Sequence, residues 1–309
     1  MKAACHRSIK QAAAQFLAAS CFFAVSLSTG SAGETPNANK GWSLGNSTAA
    51  SWLARTDASI YFDENVLSGE IESIQPLFVT PDFTHTFFTQ GRIARDSDKW
   101  TLNAGVGYRY LLPNQKLLLG INSFFDMETR QFHKRASIGV EAIGEQLSLR
   151  ANVYKGITGW NTLASNSTTT TDTKPVNGFD ISIEGPAPYM PWLRLEANYF
   201  QWLPDEAKDV HGFQGSIKAQ LTHSASFKAG YVHTNNSSTA FARLTLALGT
   251  PPEHQFTAMD NFISDQAFAP RDLTLLTLAK VERNNEIVLE ERTTTTGVVS
   301  SGVSISRGT

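Results

Sequence analysis

From Thr56 to Gly249 the chain alternates. Between Trp100 and Arg109, one set of positions is Thr101, Asn103, Gly105, Gly107 and Arg109; the other is Trp100, Leu102, Ala104, Val106 and Tyr108. In a β-strand these two sets point to opposite faces. By this alternation about twelve segments succeed one another, centred near Ile60, Leu77, Phe88, Ala104, Ile121, Ile138, Ala151, Ile181, Ala197, Ile217, Ala229 and Leu244. Most run about 10 residues, the length a tilted strand needs to cross a bilayer. Numbering the segments up and down gives short turns after even ones, at Leu112–Gln115, Ile143–Gln146 and Leu221–Ser224. The longest connections come after odd ones, at Met127–His133, Thr158–Val176 and Pro204–Gly212. Short turns at one end and long loops at the other is the pattern of a transmembrane barrel.

The two faces differ in chemistry. One collects Leu117, Leu119, Ile121, Ile138, Val140, Leu147, Leu149, Val153, Phe179, Ile181, Ile183, Leu193, Leu195, Ala197, Leu244, Leu246 and Leu248. The other collects Arg109, Asn122, Asp126, Arg135, Glu141, Arg150, Asp180, Glu184, Arg194, Glu196, Lys218, Lys228 and Arg243. An apolar outside and a charged lumen fit a barrel in lipid; a soluble β-sandwich with one wet face explains the alternation but not the loop asymmetry. Tyr108, Tyr110, Tyr199, Trp202 and Tyr231 fall near segment ends, where interfacial aromatics belong. The inward ions read either as salt bridges filling the lumen or as a polar track for a passing chain. Asn177–Gly178 reads first as a turn.

After Gly249 the alternation stops. Asp272–Arg283 predicts a short helix capped by Asp272, with Leu273, Leu276 and Lys280 on one face. Arg283–Arg292 is strand-like, and the Ser/Thr/Gly-rich 293–309 reads as a flexible tail.

Composition narrows the class. Formal net charge is −2, with 26 basic and 28 acidic residues. The first 32 residues hold Lys2, Arg7 and Lys10 and no acid, so the rest is more acidic still, which excludes a nucleic-acid partner. Ala12–Leu27 is an apolar run after that basic region, with small residues next at 28–33, which reads as a signal peptide cleaved near Ala32. The run is shorter than the ~20 residues of a membrane helix. Cys5 and Cys21 both lie in this signal, so a mature chain has no disulfide and no thiol chemistry. No later stretch is long and apolar enough for a membrane helix, so a membrane location requires a closed barrel.

Candidate chemistry is sparse. His85, His133, His211, His223, His233 and His254 lack metal-ligand spacing. His211 with Asp205 and Asp209 has no accompanying Gly-x-Ser-x-Gly element. The expectation is no enzyme, no metal and no cofactor.

The segments GVGYRYLLP (105–113), GINSFFD (120–126), RASIGVEA (135–142), GW (159–160), KPVNGFDI (174–181) and PWLRLEANYFQW (191–202) resemble the translocator domain of inverse autotransporters, the intimin/invasin group. RNNEIVLEE (283–291) resembles that family's linker exit, through Arg283, Asn284 and Asn285. The resemblance implies an all-β, twelve-stranded antiparallel barrel of a Gram-negative outer membrane, with a linker threading its lumen toward the surface. With it the chain reads as signal peptide 1–32, periplasmic leader 33–54, barrel 55–249 and linker 250–292; where the family carries a passenger, a short tail 293–309 with no passenger domain is expected. It implies as partners outer-membrane lipid, the barrel-assembly machinery and periplasmic chaperones; contact with a host or cell surface is a property of the family's passenger and is not carried over to this chain. The competing reading is a channel or structural barrel plugged by its own tail. Under either, Arg109, Asp126, Arg135, Glu141, Arg150, Asp180, Glu184, Arg194, Glu196 and Arg243 form the lumen track.

Overall fold

The computed structural model describes residues 53, 55–63, 67–96, 99–249, 251, 254–260, 262–295 and 298–304. The predicted signal and, but for Leu53, the leader lie outside them. The strands are β1 (Thr56–Asp63), β2 (Leu67–Val79), β3 (His85–Asp96), β4 (Lys99–Leu111), β5 (Leu117–Glu128), β6 (Lys134–Gly144) and β7 (Ser148–Gly156). After a hairpin of β8 (Asn161–Ser165) and β9 (Thr169–Pro175) come β10 (Asn177–Ala187), β11 (Met190–Leu203), β12 (Val210–Thr222), β13 (Ala225–Thr234) and β14 (Ser238–Ala247). Finally β15 (Leu289–Thr295) and β16 (Val298–Ser304) form a second hairpin.

Twelve of these strands close an antiparallel barrel in the order β1-β14-β13-β12-β11-β10-β7-β6-β5-β4-β3-β2. The seam pairs Ile60 with Leu244 and Asp57 with Ala247. Closure leaves no strand edge in the wall, the condition for β-structure in lipid. The remaining four strands form a separate sheet, β16-β15-β9-β8. All twelve predicted centres fall inside barrel strands.

The face assignment is a consequence of register. Ile121, Ile138 and Val153 are 51%, 60% and 62% exposed, while Arg109, Asp126 and Arg135 on the opposite parity are fully buried. A large apolar outer surface around an ionic interior inverts the soluble rule and matches a lipid-facing wall. Trp202 departs from its predicted interfacial place. It is 1% exposed, with its ring 5.4 Å from that of Tyr154 inside the barrel. Its parity on β11 is that of Arg194 and Glu196, so it points inward.

Three further expectations change. Asn177 and Gly178 are the first residues of β10 rather than a turn. Gly178 is needed because a Cβ there would lie 2.3 Å from the Trp202 ring. Residues 273–278 make successive turns, with Leu276 N donating to Leu273 O and Ala279 N to Leu276 O, not an α-helix. Asp272 does cap them, its Oδ1 accepting from Thr274 N at 2.9 Å. The run 293–304, read as a flexible tail, is largely strand in β15 and β16.

Inside, the apolar residues form three clusters. At the short-turn end, Leu111, Leu118 and Ile143 meet Leu273 and Leu276. In the middle, Ile74, Phe88 and Phe124 meet Val281. At the long-loop end, Tyr61, Tyr154, Val176, Phe200, Trp202 and Phe241 surround Val288. Each cluster is completed by a residue from beyond β14. The middle one depends on Gly107, where a Cβ would meet the Phe88 ring at 2.2 Å.

Gly107→Val should therefore overpack the lumen and cost about 1–3 kcal/mol. Heat-dependent gel mobility of the purified barrel should show unfolding at lower temperature. Gly69→Ala, where an added Cβ meets nothing within 4 Å, should leave it unchanged.

Candidate functional site

The inward wall and the segment after β14 build one polar network. The segment first crosses the short-turn end. Ala258 N donates to Gln220 O, Ser264 N to Tyr189 O and Arg271 N to Glu145 O, each at 2.8–2.9 Å. The Arg271 guanidinium donates to Gly144 O and Ser148 Oγ at 2.8 and 3.0 Å.

Next the segment meets Arg109. That guanidinium is held by Glu141 through Nε at 2.6 Å and Nη2 at 3.2 Å. Its Nη1 faces the carbonyls of Leu276, Thr277 and Ala279 at 3.3, 3.1 and 2.5 Å. In a continuing helix these carbonyls would serve the N–H groups of Lys280, Val281 and Arg283, so Arg109 takes the place of a further turn after 273–278. One step on, the Gln90 side-chain amide exchanges two bonds with Val281. Val281 N donates to Oε1 at 2.8 Å, and Nε2 donates to Val281 O at 3.3 Å. A side chain thus imitates one rung of a β-ladder.

The densest part of the network surrounds Asp126. It accepts from Arg283 Nη2 at 2.5 Å, from Arg135 Nε at 2.9 Å and from Asn103 Nδ2 at 2.7 Å. Arg135 also donates to the carbonyls of Asn284 and Glu286, both at 2.7 Å. Arg283 lies over the Phe124 ring at 4.5 Å and Arg135 over Tyr154 at 4.4 Å. Tyr154 donates its hydroxyl to Asp180 and accepts from Asn284 N at 2.8 Å. Asn103 donates to Asn285 O at 2.8 Å. The carboxylate of Glu286 is taken by Arg92 and Thr101, each at 3.0 Å.

Further charges of the segment also meet partners in the wall. Lys280 pairs with Asp57 at 2.7 Å, and Glu282 with Lys218 at 3.3 Å and Arg150 at 3.7 Å. At the long-loop end, Glu290 accepts from the backbone N–H groups of Asp205, Glu206 and Ala207 at 2.9, 2.7 and 2.6 Å. Val176 N donates to Val288 O at 2.9 Å, and from Leu289 onward the chain pairs with β9.

Of the predicted track, Arg109, Asp126, Arg135, Arg150 and Glu184 touch the segment directly. Glu141 and Asp180 act through Arg109 and Tyr154. Glu184 binds Arg150, Arg194 and Arg271. Glu196 pairs with Lys228 at 2.7 Å and Arg243 with Glu70 at 3.1 Å, within the wall alone. A cavity of about 230 Å³ separates that side of the wall from the segment. Sequence reading missed Gln90, Arg92, Tyr154 and the segment's own Lys280, Glu282, Glu286 and Glu290. Strand parity marks the first three as inward.

Among curated proteins, the Inverse autotransporter adhesin YeeJ of Escherichia coli (strain K12) is 28% identical over 280 residues, 84% of this chain and 11% of that one. The Putative attaching and effacing protein homolog of the same strain is 31% identical over 179 residues, 55% of this chain and 58% of that one. The chain therefore spans less than two thirds of either relative's length. A structure solved in work on the in-meso crystallization of membrane proteins shares the fold with a TM-score of 0.62 at 21% identity, covering 76% of this chain and 99% of that one. The family model described as inverse autotransporter, beta-domain, matches residues 43–285. The chain belongs to this family, the non-enzymatic translocator barrels of type V secretion in the Gram-negative outer membrane.

Proposed function

We propose that the barrel leads its own segment 250–292 through the lumen as a linker and so delivers the residues beyond Arg292 to the cell surface. The observation that carries this is the unbroken series of wall contacts, from Arg271 at the short-turn end, through Val281 and Arg283, to Glu290 at the long-loop end. Short turns face the periplasm in outer-membrane barrels, so the series runs outward. Because β14 ends beside the start of β1, anything after it leaves the barrel from the periplasmic side. Its route to the surface is the lumen. Folding of the exported part outside then supplies direction without nucleotide.

Outer-membrane lipid is the partner of the apolar belt. An unclosed barrel exposes that belt and its strand edges to the periplasm. Periplasmic chaperones and the barrel-assembly machinery are therefore the partners of biogenesis. Contact with a host or another cell belongs to whatever the linker presents.

An epitope tag after Thr309 tests the reading. Protease added to intact cells should remove the tag. A protected tag in cells whose barrel is folded would overturn export and favour the plugged channel, for which the cavity beside the segment speaks.

The latch at Asp126 is separately testable. Asp126→Asn leaves Arg283 and Arg135 without their carboxylate, a loss of about 3–5 kcal/mol for a broken buried pair. Planar-bilayer recordings should show frequent openings absent from the parent. Arg243→Gln, whose partner Glu70 keeps Arg92 at 2.5 Å, should open far less often.

A further inference from the structure

The β8–β9 hairpin belongs to the long connection between β7 and β10, yet its free edge receives a strand from the far end of the chain. β9 pairs with β15 over seven positions, from Leu289 opposite Pro175 to Thr295 opposite Thr169. Threonine recurs in both strands. β9 carries Thr169, Thr170, Thr171 and Thr173, and β15 carries Thr293, Thr294 and Thr295. Thr171 and Thr169 face Thr293 and Thr295, hydroxyl to hydroxyl at 3.3 and 3.2 Å. A ladder of identical residues tolerates a slip of two, which keeps every side chain on its own face.

The charges forbid what the threonines allow. In the observed register Arg292 stands opposite Asp172 and Glu290 opposite Lys174. Arg292 donates to Asp172 at 3.3 Å and to Glu206 at 2.9 Å, with its guanidinium 4.4 Å over the Trp160 ring. Were β15 two residues less advanced from the barrel, Arg292 would face Lys174. Were it two residues further out, Glu290 would face Asp172. Either slip sets like charges directly opposite one another, which destabilises a sheet pair. Only the observed register puts both charged rungs opposite their complements.

We propose that β9 is the docking template for the emerging chain: it captures segment 289–295 as a strand, and the charges of Asp172, Lys174, Glu290 and Arg292 stop the segment at one register. This rests on the export reading and adds where outward movement ends. The thread is caught by backbone pairing, which any sequence can make. It slides in steps of two while threonines pass threonines, and it halts when Arg292 reaches Asp172. The next strand, β16, then adds to the far edge of β15, pairing Thr293 with Ser300 and Leu289 with Ser304. The hairpin is thus a nucleus on which the exported chain begins to fold.

Cysteine pairs read the register in the full tagged chain, since Cys5 and Cys21 lie in the predicted signal. Directly opposed positions are close enough to bridge. T171C with T293C should cross-link at the cell surface, and T171C with T295C should not. Adding Asp172→Lys removes the attraction in register and the repulsion one step beyond. The T171C–T293C yield should then fall roughly two- to fivefold, the ratio set by a cross-strand charge pair. T169C with T293C, which reads the register two residues further out, should rise and tag display should slow, with heat-dependent mobility of the barrel unchanged. A variant that keeps full T171C–T293C cross-linking and parental display kinetics overturns the template and its stop. A parent whose tag never reaches the surface overturns export itself, a separate failure.

Discussion

A closed β-barrel has no spare backbone. Every wall strand gives both edges to its neighbours, so a chain crossing the lumen cannot be satisfied by strand pairing. It must find its partners among side chains. This constraint shapes the interior. Arg109, Gln90, Arg135, Asn103 and Tyr154 all bond to the backbone of residues 276–286 rather than to its side chains. Their lengths and forks let a rigid wall reach an irregular thread. The acids behind them, Glu141, Asp126 and Asp180, hold them in place.

The ionic pairs add register to that backbone adhesion. Lys280, Glu282, Arg283 and Glu286 alternate in sign along the thread, and the wall answers with Asp57, Lys218, Asp126 and Arg92. Buried pairs of this kind contribute little net stability against an apolar alternative, but breaking one is costly. They therefore discriminate between positions of the thread more than they strengthen its hold.

Strand parity made most of this wall legible before any coordinates. It placed Arg109, Asp126 and Arg135 inside and Ile121 and Val153 outside. Where the sequence was read by position along a segment instead, the reading failed. Trp202 sits near a strand end but shares the parity of Arg194, and it is buried against Tyr154. The linker was legible as a motif but not as a shape. Nothing local in LTLLTLAKV reveals that Arg109, far away in sequence, takes three carbonyls where these turns end. The Ser/Thr tail misled for a related reason. Its strand character comes from the edge that β9 offers, and low-complexity composition does not show a partner more than 100 residues away.

The same asymmetry explains where the thread changes conformation. From Leu276 to Glu286 its backbone is served by side chains of the wall. At Val288 it gains its first backbone partner in this region, Val176 N, one residue past the end of β9. From Leu289 it is a strand. The change falls where the barrel wall stops and the first open edge begins. An interior that grips backbone through adaptable side chains places few demands on the sequence passing through it. An edge that pairs backbone to backbone places few either, until charge is added. Selectivity thus resides in a small set of ions at fixed heights, and the rest of the path is built to let a chain go by.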